Sequence, residues 1–428
     1  MLFDVREYGA AGDGRTLDTA AFQSAVDEAS AAGGTVVVPA GDYVIGTVHL
    51  KSHVTLEITS RARILGSTEI GDYDDAVPQA VEAPSFSRVL FYCEDAENVT
   101  VCGTGTVDGR GASFTKARNG RGDLMRPMLL RFVRCRNVFL RDVTFRNSAS
   151  WCCHMILCER VSVRGVRIDN HGNQNNDGFD LDSCRDVTIS DAWISSIDDS
   201  ICLKSTTPVP CEGICVTNCV LSSDTAAVKF GTSSRAGFRD VTVSNCVFRD
   251  CPMGTLKFIC VDGGTLENVT VSNIVMDRVG SPLFLRLGAR NRQFDMPEEN
   301  DFYGEGTKNN AAPGKIRNLL ISGIIARVTA EKDRSPVMIT GLPGAEIENV
   351  ILRDVDLSFP GGGTAEDAAR TVGEDPWKYP EQWFFGVLPA WGLFARHVRG
   401  LRLQNVSLRT RTPDARPAKI LEDVTEEA

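Results

Sequence analysis

The stretch Arg185-Asp186-Val187-Thr188-Ile189 contains a short pattern that recurs along this 428-residue chain. Each copy has a polar pair followed by alternating β-branched or aliphatic residues. The second residue of the copies lies at Asn98, Asn137, Arg160, Asp186, Gly213, Asp240, Asn268, Asn318, Asn349 and Gly400. From Asn137 to Asn268 the copies follow one another at a nearly constant interval. Self-similarity at a fixed period indicates stacked structural repeats.

The pattern within one copy predicts strands rather than helices. Alternation with a period of two is typical of a strand, and a turn and a second short strand, as at Val247-Phe248, complete the copy. Such strands cannot bury a core alone, so strands of successive copies must pair. We therefore predict an all-β solenoid, a right-handed parallel β-helix. A leucine-rich horseshoe has a similar period, but its leucine framework is missing here.

The whole chain, residues 1–428, is predicted to form a single domain, because a solenoid grows by adding coils. Longer intervals mark loop insertions at 291–314 and 360–389, since the pattern resumes after each. Residues 1–40 are expected to form an N-terminal cap. Within it, Thr19 to Ala32 has apolar residues at helical spacing, and Gly33-Gly34 ends the helix.

Composition narrows the possible partners and location. No apolar run of about 18 residues is present, so no membrane partner is expected. No nucleic-acid partner is expected either, and the net charge is −10. Met1 is not followed by a basic and apolar leader, which favours the cytoplasm; the alternative is a secreted chain whose signal peptide has been removed.

The 14 cysteines are expected to be reduced and buried. They lie at strand positions, and Cys219 and Cys246 are one repeat apart in sequence, so they should stack in neighbouring coils. Cys211, Cys215 and Cys219 lack the C-x2-C spacing of a zinc site. Neither a metal nor a cofactor is therefore expected, and the oligomeric state stays open.

The candidate catalytic residues are Asp177, Asp198 and Asp199. Asp177 and Asp198 are close to one coil apart in sequence, which places the three carboxylates on adjacent rungs about 5 Å apart. Clustered carboxylates repel one another, which raises the pKa of at least one and can leave an acid beside a base near neutral pH. Cleavage of a glycosidic bond needs such a pair. The alternative is that they are turn residues at the corners of the coils.

Basic residues follow the acidic pair in a second column, with members at Lys204, Lys229, Lys257 and Arg286. Each is separated from the next by close to one repeat, which corresponds to one basic residue per coil. Such a column can hold an anionic sugar chain despite the negative net charge. The alternative is four solvated side chains on an outer face.

Two further residues are candidates for binding substrate. His154 lies in the coil before Asp177 and either lines the groove or is a core histidine. Trp383 lies in the aromatic-rich insertion at 360–389, which forms either a surface for sugar stacking or a cap over the last coil.

The order Asn175-x-Asp177-Gly178, followed by Asp198-Asp199, resembles glycoside hydrolase family 28, the polygalacturonases and rhamnogalacturonan hydrolases. The resemblance covers nearly the whole chain, from the glycine-rich turn at 9–14 onward. It implies a right-handed parallel β-helix and hydrolysis with inversion. It also implies that Asp198 is the general acid and that Asp177 and Asp199 activate the water. Asn175 of the same motif is a candidate for binding substrate. Rung spacing alone would suit a retaining enzyme better, so the stereochemistry stays open.

Two departures from that family change the expected substrate. The stretches 225–231 and 254–258 replace the family's Gly-His-Gly and Arg-Ile-Lys. In the family the basic pair is associated with a galacturonate carboxylate on the leaving-group side, so its loss implies a neutral rhamnose there. We therefore predict an inverting hydrolase of α-galacturonosyl linkages in anionic pectic oligosaccharides, of rhamnogalacturonan type. Insertions that close the groove favour exo action. The alternatives are an inactive carbohydrate-binding β-helix and a polysaccharide lyase.

Overall fold

The computed structural model describes residues 1–74, 88–114, 125–292 and 312–426. The fold is a right-handed parallel β-helix, as predicted. The chain divides into two compact units, an N-terminal unit (Met1–Ser200) and a C-terminal unit (Ile201–Ala428); the single domain stays a prediction. Most of the predicted insertion at 291–314 lies outside the described residues. Neither α-helix in the described part of the chain is long and apolar enough to cross a membrane.

The N-terminal unit contains three ladders of parallel strands, in which each strand pairs with a strand of the next coil. The first ladder consists of β1 (Leu2–Asp4), β3 (Thr35–Val38), β6 (Thr55–Ile58), β9 (Glu97–Cys102), β12 (Arg136–Arg141), β15 (Glu159–Arg164) and β18 (Arg185–Ser190). The second consists of β2 (Asp13–Leu17), β4 (Gly41–Ile45), β7 (Ala62–Gly66), β10 (Thr106–Asp108), β13 (Thr144–Arg146), β16 (Arg167–Asn170) and β19 (Trp193–Ser196). The third consists of β5 (Val48–Leu50), β8 (Val89–Glu94), β11 (Met128–Val133), β14 (Cys153–Ile156) and β17 (Phe179–Asp182).

The C-terminal unit has the same architecture, with longer strands. One ladder consists of β20 (Ile201–Ser205), β23 (Val228–Ser234), β25 (Leu256–Cys260), β27 (Leu283–Leu287), β29 (Val337–Thr340), the start of β31 (Leu393–Thr410), and β32 (Lys419–Glu426). The other strands are β21 (Cys211–Thr217), β22 (Val220–Ser223), β24 (Gly237–Cys251), β26 (Thr265–Val279), β28 (Lys315–Val328) and β30 (Ile347–Phe359), and β30 pairs with β31.

The recurring polar position is a corner of the backbone. All ten residues that mark the copies have positive φ, between 53° and 74°. Asn, Asp and Gly tolerate this left-handed conformation best, which explains why they fill nearly every copy. Corner side chains of successive coils hydrogen-bond to one another: Asn137 Nδ2 donates to Asn98 Oδ1 at 2.8 Å, and Asn268 Nδ2 donates to Asp240 Oδ1 at 2.9 Å. These bonds hold the corners of successive coils in line.

The alternating residues after each corner form the core. Val187 and Ile189 are fully buried, whereas Thr188 between them is exposed. All fourteen cysteines are free thiols, and thirteen are buried. Cys219 and Cys246 are adjacent as predicted, since the Cys219 N–H lies 3.4 Å from the Cys246 Sγ.

The predicted cap helix is confirmed as α1 (Thr19–Ala32), which ends at Gly33 with φ 66°. It buries a face that includes Phe22 and Val26 and packs against β1, β3 and β5. The Asp18 carboxylate accepts hydrogen bonds from the backbone N–H groups of Ala11 and Gly12, at 2.7 and 3.2 Å, which fixes the glycine-rich turn before the helix.

The insertion predicted at 360–389 lies between β30 and β31. It contains the short helix α2 (Ala365–Ala368) and a 3₁₀ turn at Gln382–Phe385. Thr364 and Asp367 form a capping box at the start of α2, which stabilises this short helix.

Candidate active site

The three predicted acidic residues lie beside strand ends of the N-terminal unit. Asp177 precedes β17, and Asp198 and Asp199 follow β19. Asp177 and Asp199 are each only 3% exposed, and a carboxylate oxygen of one lies within 4.8 Å of a carboxylate oxygen of the other. Asp198 is half-buried. The structure therefore brings Asp177 and Asp199 together on adjacent rungs, and Asp198 lies in the same turn as Asp199.

Gly178 permits the close approach of the two rungs. Its N–H donates to the carbonyl oxygen of Asp199 at 2.9 Å. A Cβ at this position would collide with the carbonyl oxygen of Ser200, because the space between them is smaller than any real side chain tolerates. The glycine of the Asn-x-Asp-Gly motif is thus required by backbone packing, and it holds Asp177 beside Asp199.

Asn175 links the two acidic turns. Its backbone is left-handed, with φ 51°, and its Nδ2 lies 3.4 Å from the Asp198 Oδ2, to which it donates. Its Oδ1 accepts from the Nη2 of Arg126 at 2.8 Å, while the Arg126 Nη1 donates to the carbonyl oxygen of Gln174 at 2.6 Å. Arg126, which is only 6% exposed, therefore fixes the orientation of the Asn175 amide.

This arrangement suits acid–base chemistry. Two carboxylates within 4.8 Å can both accept hydrogen bonds from one water molecule and so orient and deprotonate it. Asp198 is the most accessible of the three and is therefore best placed to protonate an oxygen of a bound ligand. Retention and inversion are distinguished by the distance between the general acid and the second catalytic carboxylate. The 4.8 Å distance joins Asp177 and Asp199 instead, which the resemblance assigns to the same role, so it does not decide the stereochemistry.

His154 is buried on β14, where its side chain points to the opposite face from Cys153 and Met155. It is 1% exposed, its ring meets that of Trp151 edge to face at 5.2 Å, and its Nε2 lies 3.8 Å from the Asp182 Oδ2. Its strand neighbours in register are Arg131 on β11 and Asp180 on β17. Both alternatives for His154 therefore stay predictions.

The predicted basic residues lie one per strand, on β20, β23, β25 and β27, but they do not form a single column. Lys229 is in register with Lys257. Arg286, however, pairs with Ile259, two residues beyond Lys257, and Lys229 pairs with Cys202, two residues before Lys204. The predicted single column is wrong. The coils differ in length, so residues that are one repeat apart in sequence are not always paired in strand register. Lys204 is buried, with 5% exposure.

Lys229 and Lys257 share one carboxylate from the insertion. The Lys257 Nζ donates to the Glu381 Oε2 at 2.6 Å, and the Lys229 Nζ lies 3.2 Å from the Glu381 Oε1. All three side chains are buried, with exposures of 1%, 6% and 4% for Lys257, Lys229 and Glu381. A carboxylate of the chain itself therefore neutralises much of the positive charge that the sequence analysis assigned to binding an anionic substrate.

Arg286 also binds the insertion. Its Nη2 donates to the carbonyl oxygens of Glu374 and Asp375, at 2.8 and 3.0 Å. Burial, together with the positive charge of Arg396, lowers the pKa of Arg286 to about 9, so the group stays protonated near neutral pH. Arg396 binds the preceding turn, since its Nη1 donates to the carbonyl oxygen of Val372 at 2.9 Å. Two guanidinium groups of the β-helix thus hold the insertion.

Trp383 lies in the same insertion and is half-buried. Its ring stacks on that of Phe384, with centroids 4.4 Å apart and an interplanar angle of 28°. Phe384 is exposed, whereas the neighbouring Gln382 is buried and donates through Nε2 to the carbonyl oxygen of Pro336 at 2.8 Å. The insertion is therefore packed at Gln382 and presents aromatic surface at Phe384.

Comparison with known proteins identifies the family. The model of Glycosyl hydrolases family 28 matches residues 29–372 of this chain. The chain belongs to that family. An exopolygalacturonase of Platanus acerifolia is 26% identical over 389 residues, which cover 87% of this chain and 94% of that protein. A probable polygalacturonase of Vitis vinifera is 27% identical over 63% of this chain, and the match spans only 60% of the length of that protein.

Two solved structures share the fold of this family 28 chain. A hyperthermoactive exopolygalacturonase of Thermotoga maritima has a TM-score of 0.73 at 22% identity, and the match covers 96% of this chain and 92% of that one. A family 28 exopolygalacturonase of Yersinia enterocolitica has a TM-score of 0.73 at 18% identity, covering 100% and 78%. These two exopolygalacturonases, which are distant from this chain in sequence, therefore share its parallel β-helix fold.

Sequence reasoning missed two residues of this family 28 chain. Arg126 lies outside every repeat and motif, and no sequence signal pointed to it. Glu381 stands beside Trp383, 124 residues after Lys257, so the repeat could not connect it with the lysines. The one signal in the sequence was an acidic residue in an insertion that follows basic residues spaced about one repeat apart.

Proposed function

We propose that this family 28 chain is an inverting, exo-acting hydrolase of α-galacturonosyl linkages in rhamnogalacturonan-type pectic oligosaccharides. The observation that carries the proposal is the cluster of Asp177, Asp198 and Asp199. In it, Asp198 protonates the leaving oxygen and the buried pair activates water. Acid and base must act together for a glycosidic bond to be cleaved by single displacement.

The preference for rhamnogalacturonan is supported by the residues that replace the family's basic pair. Thr255 stands where the Arg is expected, and its Oγ1 donates to the carbonyl oxygens of Ser281 and Pro282, at 3.2 and 2.9 Å. It is fully buried and carries no charge. A galacturonate carboxylate would find one cation fewer here, whereas a rhamnose needs none.

Exo action is supported by the packed insertion and by the names of the relatives, several of which are exopolygalacturonases. Those names also favour a second candidate, exo-cleavage of homogalacturonan. The two candidates differ in the sugar on the leaving-group side, so they can be separated by substrate alone.

The deciding experiment uses purified oligogalacturonates and rhamnogalacturonan oligosaccharides of equal length, labelled at the reducing end. We expect faster cleavage of the rhamnogalacturonan series, with one short unit released at a time from the non-reducing end, as measured by mass spectrometry. Proton NMR of the first product should show the inverted anomer. Faster oligogalacturonate cleavage would establish the second candidate instead.

Other outcomes would reject hydrolysis altogether. An unsaturated product that absorbs in the ultraviolet would identify a lyase. Binding without turnover of either series would identify an inactive carbohydrate-binding protein. An early spread of mid-length products would contradict exo action while leaving the hydrolase intact.

A further inference from the structure

The carboxylate of Asp198 is held at both of its oxygens. Its Oδ1 accepts from the backbone N–H of Asp199 at 3.0 Å, a contact within its own turn. Its Oδ2 accepts from the Asn175 Nδ2 at 3.4 Å, and Asn175 lies in the neighbouring acidic turn. The terminal torsion of an Asp side chain is otherwise soft, because it has no sharp staggered minima. The direction in which Asp198 presents a proton therefore depends on Asn175.

The amide of Asn175 can face Asp198 in two ways. With Nδ2 toward the carboxyl group, the amide donates a hydrogen bond; after half a turn it presents Oδ1, which only accepts. A protonated Asp198 facing that oxygen would donate its proton to the amide instead of to the leaving oxygen of a substrate. An acid at Asp198 therefore requires the first of the two amide orientations.

Arg126 selects this orientation. Its Nη2 donates to the Asn175 Oδ1 at 2.8 Å, and an amide nitrogen could not accept that bond. Its Nη1 donates to the carbonyl oxygen of Gln174 at 2.6 Å, so one guanidinium group holds both the backbone and the amide of the turn. The bond from Arg126 is shorter than the 3.4 Å contact with Asp198 and involves a charged donor, so it dominates the orientation of the amide.

The position of Arg126 is itself fixed. The residue is only 6% exposed, and its carbonyl oxygen accepts from the Oγ of Ser150 at 3.1 Å. Ser150 is fully buried. A buried guanidinium group is stable only where its donors are engaged, and two of them are engaged at the turn that contains Asn175.

We propose that Arg126 is a positioning residue for the general acid of the proposed hydrolase. It occupies the amide oxygen of Asn175, so Asp198 meets a donor there and keeps its proton for the leaving oxygen. This inference deepens the proposed function and rests on it, since it needs Asp198 to act as an acid. It requires no contact between Arg126 and the substrate.

The central test is a double-mutant cycle of Arg126→Met and Asn175→Gly. Met is similar in length to Arg but has no donors, and Gly removes the amide while adopting the left-handed backbone at φ 51° without strain. Each single variant should lower kcat on the better pectic oligosaccharide by about tenfold, the effect of one hydrogen bond to a charged group. Because Arg126 acts through Asn175, the double variant should also lose about tenfold rather than about 100-fold.

A second measurement separates positioning of the acid from a general loss of structure. A dinitrophenyl glycoside of galacturonate has a leaving group that departs without a proton, so its cleavage does not need the acid. Arg126→Met should therefore lower kcat on this substrate by less than about twofold. A distorted active site would lower kcat on both substrates by the same factor.

The matched control is Arg110→Met in the same unit. The Nε of the half-buried Arg110 donates to the carbonyl oxygen of Gly66 at 2.6 Å, so this change also removes an arginine that binds a backbone carbonyl group. It should keep the wild-type kcat on both substrates. Additive losses in the double variant, or equal losses of Arg126→Met on both substrates, would overturn the role of Arg126.

If Arg126→Met does not fold, Arg126→Lys takes its place in the cycle. A single ammonium group does not reproduce the fork of a guanidinium group, so we expect a loss of about threefold when Asn175 is present and none in Asn175→Gly. Equal effects in the two backgrounds would overturn the inference alone. The proposed function fails in a different way: if wild-type protein cleaves neither pectic series nor the aryl glycoside, there is no acid to position and both proposals are wrong.

Discussion

The acidic turns of the N-terminal unit and the basic strands of the C-terminal unit handle their charges in different ways. Asp177 and Asp199 keep two carboxylates close together. The lysines on β23 and β25, and the arginine on β27, are instead engaged by the insertion between β30 and β31. Carboxylates held close together reduce stability, so such a cluster indicates a catalytic site. The basic side chains of β23, β25 and β27 instead stabilise the fold, because they bind the insertion.

The comparison predicts that the largest effects on activity come from the acidic turns. Asp198→Asn, Asp177→Asn and Asp199→Asn should each lower kcat by about 10² to 10⁴, because each removes an acid or a base while keeping the shape of the side chain. The measurement is kcat on the better pectic oligosaccharide, with circular dichroism to verify folding.

Asp186→Asn is the matched control for these variants. Asp186 is an exposed corner residue with φ 58° in the same unit, and Asn adopts that conformation readily. It should keep wild-type activity. Wild-type kcat in all three acidic variants would show that the acidic turns are not the active site.

The same contrast explains what the sequence could predict. The corners, the alternating core and α1 depend on residues near one another in sequence, so the repeat predicts them correctly. Asp177 and the Asp198-Asp199 turn are about one coil apart, and the proximity of Asp177 to Asp199 follows from that period as well. Glu381 and Arg126 reach their partners from segments outside the repeat, 124 residues from Lys257 and 49 residues from Asn175. Contacts of that kind depend on the path of a loop, which no local pattern encodes.

A second prediction concerns the contacts by which the β-helix fixes the insertion at 360–389. Arg286→Met should lower the free energy of unfolding by about 2 kcal/mol, because two carbonyl oxygens lose a charged donor. It should also speed proteolytic cleavage within 360–389. The control is Arg327→Met, whose side chain is 54% exposed and pairs with Asp277 on the surface. Equal stability of the two variants would show that Arg286 does not hold the insertion.

The smallest effect is expected from pH, at His397 of β31. Burial alone would lower the pKa of His397, but hydrogen bonds to Asp423 at 2.8 Å and Glu374 at 3.1 Å outweigh it and raise the pKa above 6.5. A group whose pKa is raised by folding contributes stability that is complete below the pKa of the unfolded state and is lost as the pH rises through that of the folded state. His397→Gln should therefore cost less than about 1 kcal/mol, and mainly below pH 6.5. Urea unfolding of both proteins at acidic and alkaline pH measures this difference. A cost that is the same at both ends would show that the contacts of His397 do not depend on its charge.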